Sequence, residues 1–119
     1  MRDIAHFISG KSAKGQGTRY ADVFDPNTGK VQARVQLATS ADLATAVESA
    51  KAAQPGWAAT NPQRRARVMF EFKRLLEANM DELARMLSAE HGKVIADSKG
   101  DIQRGLEVIE FACGIPHAL

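Results

Sequence analysis

The chain has 119 residues, 45% hydrophobic and 25% charged, the balance of a soluble globular domain that can bury a core rather than that of a disordered tract. Its 16 Lys and Arg against 14 Asp and Glu leave a formal charge of +2, far short of the clustered cationic excess that a nucleic-acid partner requires. A single cysteine excludes an internal disulfide and favours a reducing compartment, so the cytoplasm is expected. With no run near the roughly 18 apolar residues of a membrane span, and no basic-then-apolar leader in residues 1–10, neither a membrane partner nor a targeting segment is expected.

A polar, glycine-bearing opening (Gly10, Gly15, Gly17) leads into residues 20–24, whose strand-favouring types stop at Asp25, Pro26, Asn27, Thr28 and Gly29. That cluster predicts a hairpin turn: Pro26 presets the first central φ, Asn27 tolerates the second position, and Gly29 can take a positive φ. Beyond it, Val31, Ala33, Val35 and Leu37 alternate with Gln32, Arg34 and Gln36, the period-2 pattern of a strand with one wet face. Helical spacing follows, with Thr39 or Ser40 as N-cap, Asp42 in the first turn, and Leu43, Val47 and Ala50 on one face until Pro55 and Gly56 end or distort the helix. Asn61 and Pro62 start a second helix to about Asn79, burying Ala66, Met69, Phe72 and Leu76. A third opens on Asp81 and Glu82, whose charges suit the positive end of the helix dipole, buries Leu83, Met86 and Leu87, and stops at Gly92. A fourth runs from about Ile95 toward Cys113, and residues 115–119 trail off uncapped.

A β-hairpin and four helices make one continuous unit, with no repeat, linker or internal domain boundary expected in residues 1–119. It also reads as incomplete. A two-stranded hairpin is marginal alone, and the last two helices carry more apolar surface than so small a cluster can cover.

No catalytic constellation is visible: there is no P-loop, no G-x-G-x-x-G after a strand, no histidine pair at helical spacing and no nucleophile elbow. No metal site is expected, because His6, His91 and His117 are scattered and Cys113 with His117 is a lone pair. Cys113, between Ala112 and Gly114 with no cation at hand, is expected in the core. The basic run Arg64, Arg65, Arg67, Lys73 and Arg74 spreads around a helix and is interrupted by Glu71 and Glu77, a solvated face.

Arg104 stands out. On the fourth helix Ile102, Leu106, Ile109 and Cys113 form one apolar stripe, while Gly100, Arg104, Val108 and Phe111 form a second that places a permanent cation among apolar neighbours. Gly100 and Gly105 flank it, each costing about 1 kcal/mol of helix stability against Ala, as expected if something approaches the backbone closely. The structural alternative is an ion pair with Asp101 or Glu107, each three residues away.

The run Phe24, Asp25, Pro26, Asn27, Thr28, Gly29, Lys30, Val31, with Ala33, Arg34 and Val35, resembles the N-terminal hairpin of the aldehyde dehydrogenase superfamily. Arg65, Ala66, Arg67, residues 75–83 and then Glu90, His91, Gly92 and Lys93 are similar to that family's second and third helices. Residues 99–116, from Lys99 and Gly100 through Arg104 to Cys113 and Pro116, most resemble its CoA-acylating methylmalonate-semialdehyde branch. The resemblance implies an α/β fold, with residues 1–119 as the N-terminal part of an incomplete NAD-binding domain.

It also implies a whole enzyme that oxidises malonate or methylmalonate semialdehyde to acetyl-CoA or propionyl-CoA with NAD, CoA and loss of carbon dioxide, within valine and inositol breakdown, as a homo-oligomer, a tetramer. Such enzymes use a cysteine thiolate and pass a thioester to CoA. Nucleophile, glycine motif and oxyanion donors lie in the family beyond Leu119. The chain alone is therefore expected to be inactive, with no catalytic or cofactor-binding residue, and to bind neither NAD nor CoA; Cys113 does not inherit the nucleophile's role. Arg104 does carry over, as the residue resembling the one that holds the substrate carboxylate, a task for a bidentate donor. Glu90 falls where some members contribute to a monovalent cation site, a weaker analogy. Two alternatives remain: a dehydrogenase for another acid semialdehyde, and a non-catalytic helical interaction module.

Overall fold

A computed structural model describes residues 2–118; Leu119, the last of the expected tail, lies outside them. The chain divides into two compact units, residues 1–59 and 60–119.

In the first unit β1 (Arg2–Ile4), β5 (Val31–Gln36) and β4 (Tyr20–Phe24) form a sheet in the order β1-β5-β4, and β2 (His6–Ile8) pairs with β3 (Lys11–Ala13) in a separate hairpin. The expected antiparallel pairing of residues 20–24 with the strand after the turn is present, Tyr20 opposite Gln36 and Val23 opposite Ala33. The turn forms as its residues dictate. Gly29 takes φ +69°, its N–H donates to Asp25 O (2.8 Å), and the Asp25 carboxylate accepts from Asn27 N (2.8 Å).

Several expectations for the strands need correction. The hairpin does have a third strand, because β1 pairs in parallel with β5, Asp3 opposite Arg34. The polar opening, to which no strand was assigned, holds a second hairpin: Ser9 and Gly10, with φ 56° and 75°, make the two-residue turn that closes β2 on β3. Strict alternation in β5 also fails. Its register jumps between the Val23–Ala33 and Phe24–Val31 pairs, leaving Gln32 as an extra residue whose amide donates to Phe24 O (3.1 Å), so Val31 is exposed. Gln36, expected on the wet face, is buried, because residues 15–17 cross that face. Its amide accepts from Gly15 N (2.8 Å) and donates to Gly15 O (3.0 Å) and Gly17 O (2.5 Å), replacing the water it would otherwise bind.

Helix α1 (Ser40–Ala59) starts on Thr39 as expected. Thr39 Oγ1 accepts from Asp42 N (3.2 Å), while Asp42 Oδ2 accepts from Thr39 N and Oγ1 (2.8 Å each), a reciprocal cap with aspartate in the usual glutamate place. The helix runs through Pro55 to Ala59 instead of closing there. Its expected apolar face is not buried: Leu43 is 64% exposed and Val47 is exposed too, since nothing in its own unit covers that side.

The second unit is α2 (Pro62–Ala78), α3 (Met80–His91) and α4 (Ile95–Gly114), closed by a 3-10 turn (Ile115–Ala118) where a loose tail was expected. Asn61 Oδ1 accepts from Gln63 N (2.9 Å), with Pro62 at the first helical position. Gly92 ends α3 at φ 85°, its N–H on Ser88 O (2.8 Å). α2 and α3 both pack on α4. The buried residues are small: Ala66, Ala84 and Ser98 with Leu106 and Cys113, and Ser88 and Ser98 share a 2.7 Å hydrogen bond between α3 and α4. Helices meeting through small side chains approach closely and leave larger ones at the margins. Phe72 and Met86, expected in the core, are accordingly exposed.

Candidate functional site

Helix α4 turns its two stripes to different environments. Leu106 and Cys113 are buried and Ile102 and Ile109 half-buried against α2 and α3, as their spacing requires. The second stripe is open: Arg104 is 76% exposed along its side chain, and Gly100, Val108 and Phe111 are exposed with it. The cation therefore does not sit in an apolar enclosure within this unit, because α2 and α3 pack only on the other side of the helix.

Of the two acids weighed as partners for Arg104, the structure selects Asp101 and not Glu107. Arg104 Nη1 donates to Asp101 Oδ1 at 2.7 Å. Asp101 Oδ2 is taken by Lys93 Nζ, from the short connection between α3 and α4. The carboxylate thus lies between two cations, and its pKa is lowered, first by the hydrogen bond from Lys93 and to a lesser degree by the charges of Lys93 and Arg104. Gly100 and Gly105 have nothing within 4 Å of where a Cβ would stand, so the surface beside Arg104 is open to a ligand or to another piece of protein. This three-residue arrangement can offer an anion a guanidinium held in one place.

The other candidates are structural. Cys113 is buried at the foot of α4, in a cleft with Phe70, Lys73, Glu110 and His117. No group of three or more His, Cys, Asp or Glu among the described residues could hold a metal. In the basic run of α2, two of the five residues meet acids: Arg74 pairs bidentately with Glu71 (2.7 and 2.9 Å), and Lys73 bridges Glu77 (2.5 Å) and Glu110 (3.2 Å). Two features escaped the sequence reading. Lys93 entered it only as part of a motif, and nothing in its spacing predicts that a helix connection will deliver it to Asp101. The buried Asp42 carboxylate, which also accepts from Gln16 N (2.8 Å), was read as a first-turn charge alone.

The chain as a whole is similar to known proteins. The family model described as "Aldehyde dehydrogenase family" matches residues 12–119. The chain belongs to the aldehyde dehydrogenase family. It is 41% identical over its whole length to a malonate-semialdehyde dehydrogenase of Pseudomonas aeruginosa, of which it covers 24%. Over 92% of its length it is 39% identical to the acylating, mitochondrial methylmalonate-semialdehyde/malonate-semialdehyde dehydrogenase of mouse, covering 20% of that protein. A crystal structure of a candidate methylmalonate-semialdehyde dehydrogenase from Sinorhizobium meliloti, complexed with NAD, superposes with TM-score 0.96 at 64% identity over 98% of the chain and 24% of its own. An aldehyde dehydrogenase from Physcomitrella patens, holding its product succinate, matches at TM-score 0.83 and 29% identity, over 94% of this chain and 23% of that one. The chain spans about a quarter of the relatives it matches.

The Sinorhizobium meliloti neighbour holds NAD, but the described residues of this chain do not fit its phosphates. Their one strand-to-helix passage, β5 through residues 37–39 into α1, has no glycine, and its helix N-terminus is already filled by the Asp42 carboxylate, which repels an anion.

Proposed function

We propose that this chain forms the N-terminal quarter of an NAD-dependent, CoA-acylating dehydrogenase of malonate or methylmalonate semialdehyde, and that Arg104 holds the substrate's carboxylate. The observation that carries this reading is the 64% identity and TM-score of 0.96 shared with the Sinorhizobium meliloti enzyme over nearly the whole chain. Its support in the geometry is an exposed guanidinium on the open stripe of α4, fixed at Nη1 alone by Asp101. Nucleophile, NAD and CoA contacts then belong to the other three quarters of the enzyme, and the 119 residues alone are inactive. Catalysis in the cytoplasm by a homo-oligomer, a tetramer, within valine or inositol breakdown completes the proposal, with the lone buried Cys113 as support for a reducing compartment. The mouse relative is itself described as mitochondrial.

The test is a graft in which residues 1–119 replace the matching 24% of the Sinorhizobium meliloti enzyme. The grafted enzyme should reduce NAD and form acetyl-CoA with malonate semialdehyde. In it, Arg104→Leu should lower kcat/KM for malonate semialdehyde roughly ten- to a hundredfold while sparing most of the rate with propanal, since a hydrogen bond to a charged group contributes about 1.5 to 3 kcal/mol. Arg104→Lys should recover part of the loss, because it keeps charge without the planar fork. A graft inert with acid semialdehydes overturns the proposal, and equal losses on both aldehydes assign Arg104 to the fold.

A further inference from the structure

Building on the reading of Arg104 as the carboxylate holder, we infer that Asp101 is the positioning residue for its guanidinium and that Lys93 fixes Asp101 in turn. An exposed acid three residues from an arginine is by itself ordinary and loosely held. Here the acid is not free to move, because Lys93 Nζ holds Oδ2 while Arg104 Nη1 takes Oδ1 at 2.7 Å. Lys93 reaches it from the connection after Gly92, whose left-handed φ of 85° fixes where that connection leaves α3. The guanidinium is therefore pinned against an anchored carboxylate.

Charge and geometry both leave the arginine able to bind a second anion. Two cations and one anion make the triad +1 overall, so Asp101 does not cancel the attraction that a carboxylate substrate feels. Asp101 engages Nη1, which leaves the Nε–Nη2 edge, the side-on fork that carboxylates prefer, outside the contact it makes. Gly100 and Gly105 add open backbone surface on either side of Arg104. A planar donor held in one orientation before substrate arrives loses less conformational freedom on binding, which acts mainly on KM for substrates that carry the matching charge.

The grafted enzyme and the ratio of kcat/KM for malonate semialdehyde to that for propanal provide the test. Asp101→Asn should lower the ratio roughly three- to tenfold, mainly through a higher KM for the acid aldehyde. Lys93→Met should lower it as well, because it frees the Asp101 charge to compete for Arg104 and to repel the substrate. A rise in the ratio on Asp101→Asn would show that Asp101 masks Arg104 and overturn the inference, as would an unchanged ratio with a lower Tm, the mark of a purely structural pair. Arg104→Leu separates the two levels of the argument. If it collapses the ratio and Asp101→Asn does not, only the positioning role fails; if it leaves the ratio unchanged, the carboxylate reading fails and takes this inference with it.

Discussion

Asp42 is buried and charged because donors converge on its carboxylate. Thr39 N and Oγ1 meet Oδ2 and Gln16 N meets Oδ1, and the hydrogen bonds from the Thr39 and Gln16 backbone, with the Thr39 hydroxyl, lower its pKa to about 2; the His6 charge adds a smaller effect. A carboxylate depressed below its unfolded value stabilises the fold above that value, and the contribution disappears as pH falls through the folded pKa. The first unit should therefore lose stability between about pH 4 and pH 2, and Asp42→Asn should flatten that acid limb in urea melts followed against pH. Gly15 belongs to the same cluster. A Cβ there would stand 2.6 Å from His6 Nε2 and 3.0 Å from Asp42 Oδ2, so Gly15→Ala would have to push the imidazole or the carboxylate aside. An acid limb that is unchanged in Asp42→Asn would mean that the Asp42 carboxylate does not set it.

Among the elements, glycines sort into those the fold requires and those it merely carries. At Gly17 a Cβ would meet Leu37 O, a backbone atom, at 2.4 Å, so Gly17→Ala should destabilise the chain more than Gly15→Ala, whose neighbours are side chains. Gly100 and Gly105 lie in α4 with nothing near, so Ala at either should stabilise the isolated chain by up to about 1 kcal/mol, and thermal melts of these variants check both signs. A loss at Gly100 or Gly105 confined to the complete enzyme would show that another part of the protein approaches there. The elements legible in the sequence are those whose signals are local. Asn61-Pro62, Gly92 and the Asp25 to Gly29 turn each fix their own backbone, and all three act as their types dictate. The three strands missed are three residues long, too short for alternation to show. Ser9-Gly10 was the available clue, since that dipeptide suits a turn with two positive φ values. The parallel pairing of β1 with β5 left no local trace at all, because it joins residues some 30 positions apart.

At the scale of the whole molecule, apolar side chains outnumber the places to bury them. The core of the second unit is made of small residues, while Val68, Phe70, Phe72, Leu75, Val108 and Phe111 are exposed on α2 and α4, and Leu43, Val47 and Trp57 on α1. Periodicity showed a surplus on the third and fourth helices only. On α1 and α2 the spacing predicted packed faces for Leu43, Val47 and Phe72, all of them exposed. Which face stays open was not legible, because that depends on how α2 and α3 divide the circumference of α4. The same limit governed the site. Arg104 was identifiable as a cation on an apolar stripe, but its exposure and its shared carboxylate depend on packing. A domain of this size retains about 5 to 15 kcal/mol of net stability, and water against that much apolar surface removes a large part of what burial would supply. Purified residues 1–119 should accordingly self-associate with rising concentration in sedimentation and bind a hydrophobic dye, and should show no NAD-dependent oxidation of malonate semialdehyde. Substituting Val108 and Phe111 by Ser should reduce association without unfolding α4, because both side chains point away from its packed stripe. A monodisperse monomer with a sharp cooperative melt would show that the two units are self-sufficient and that their open faces need no cover.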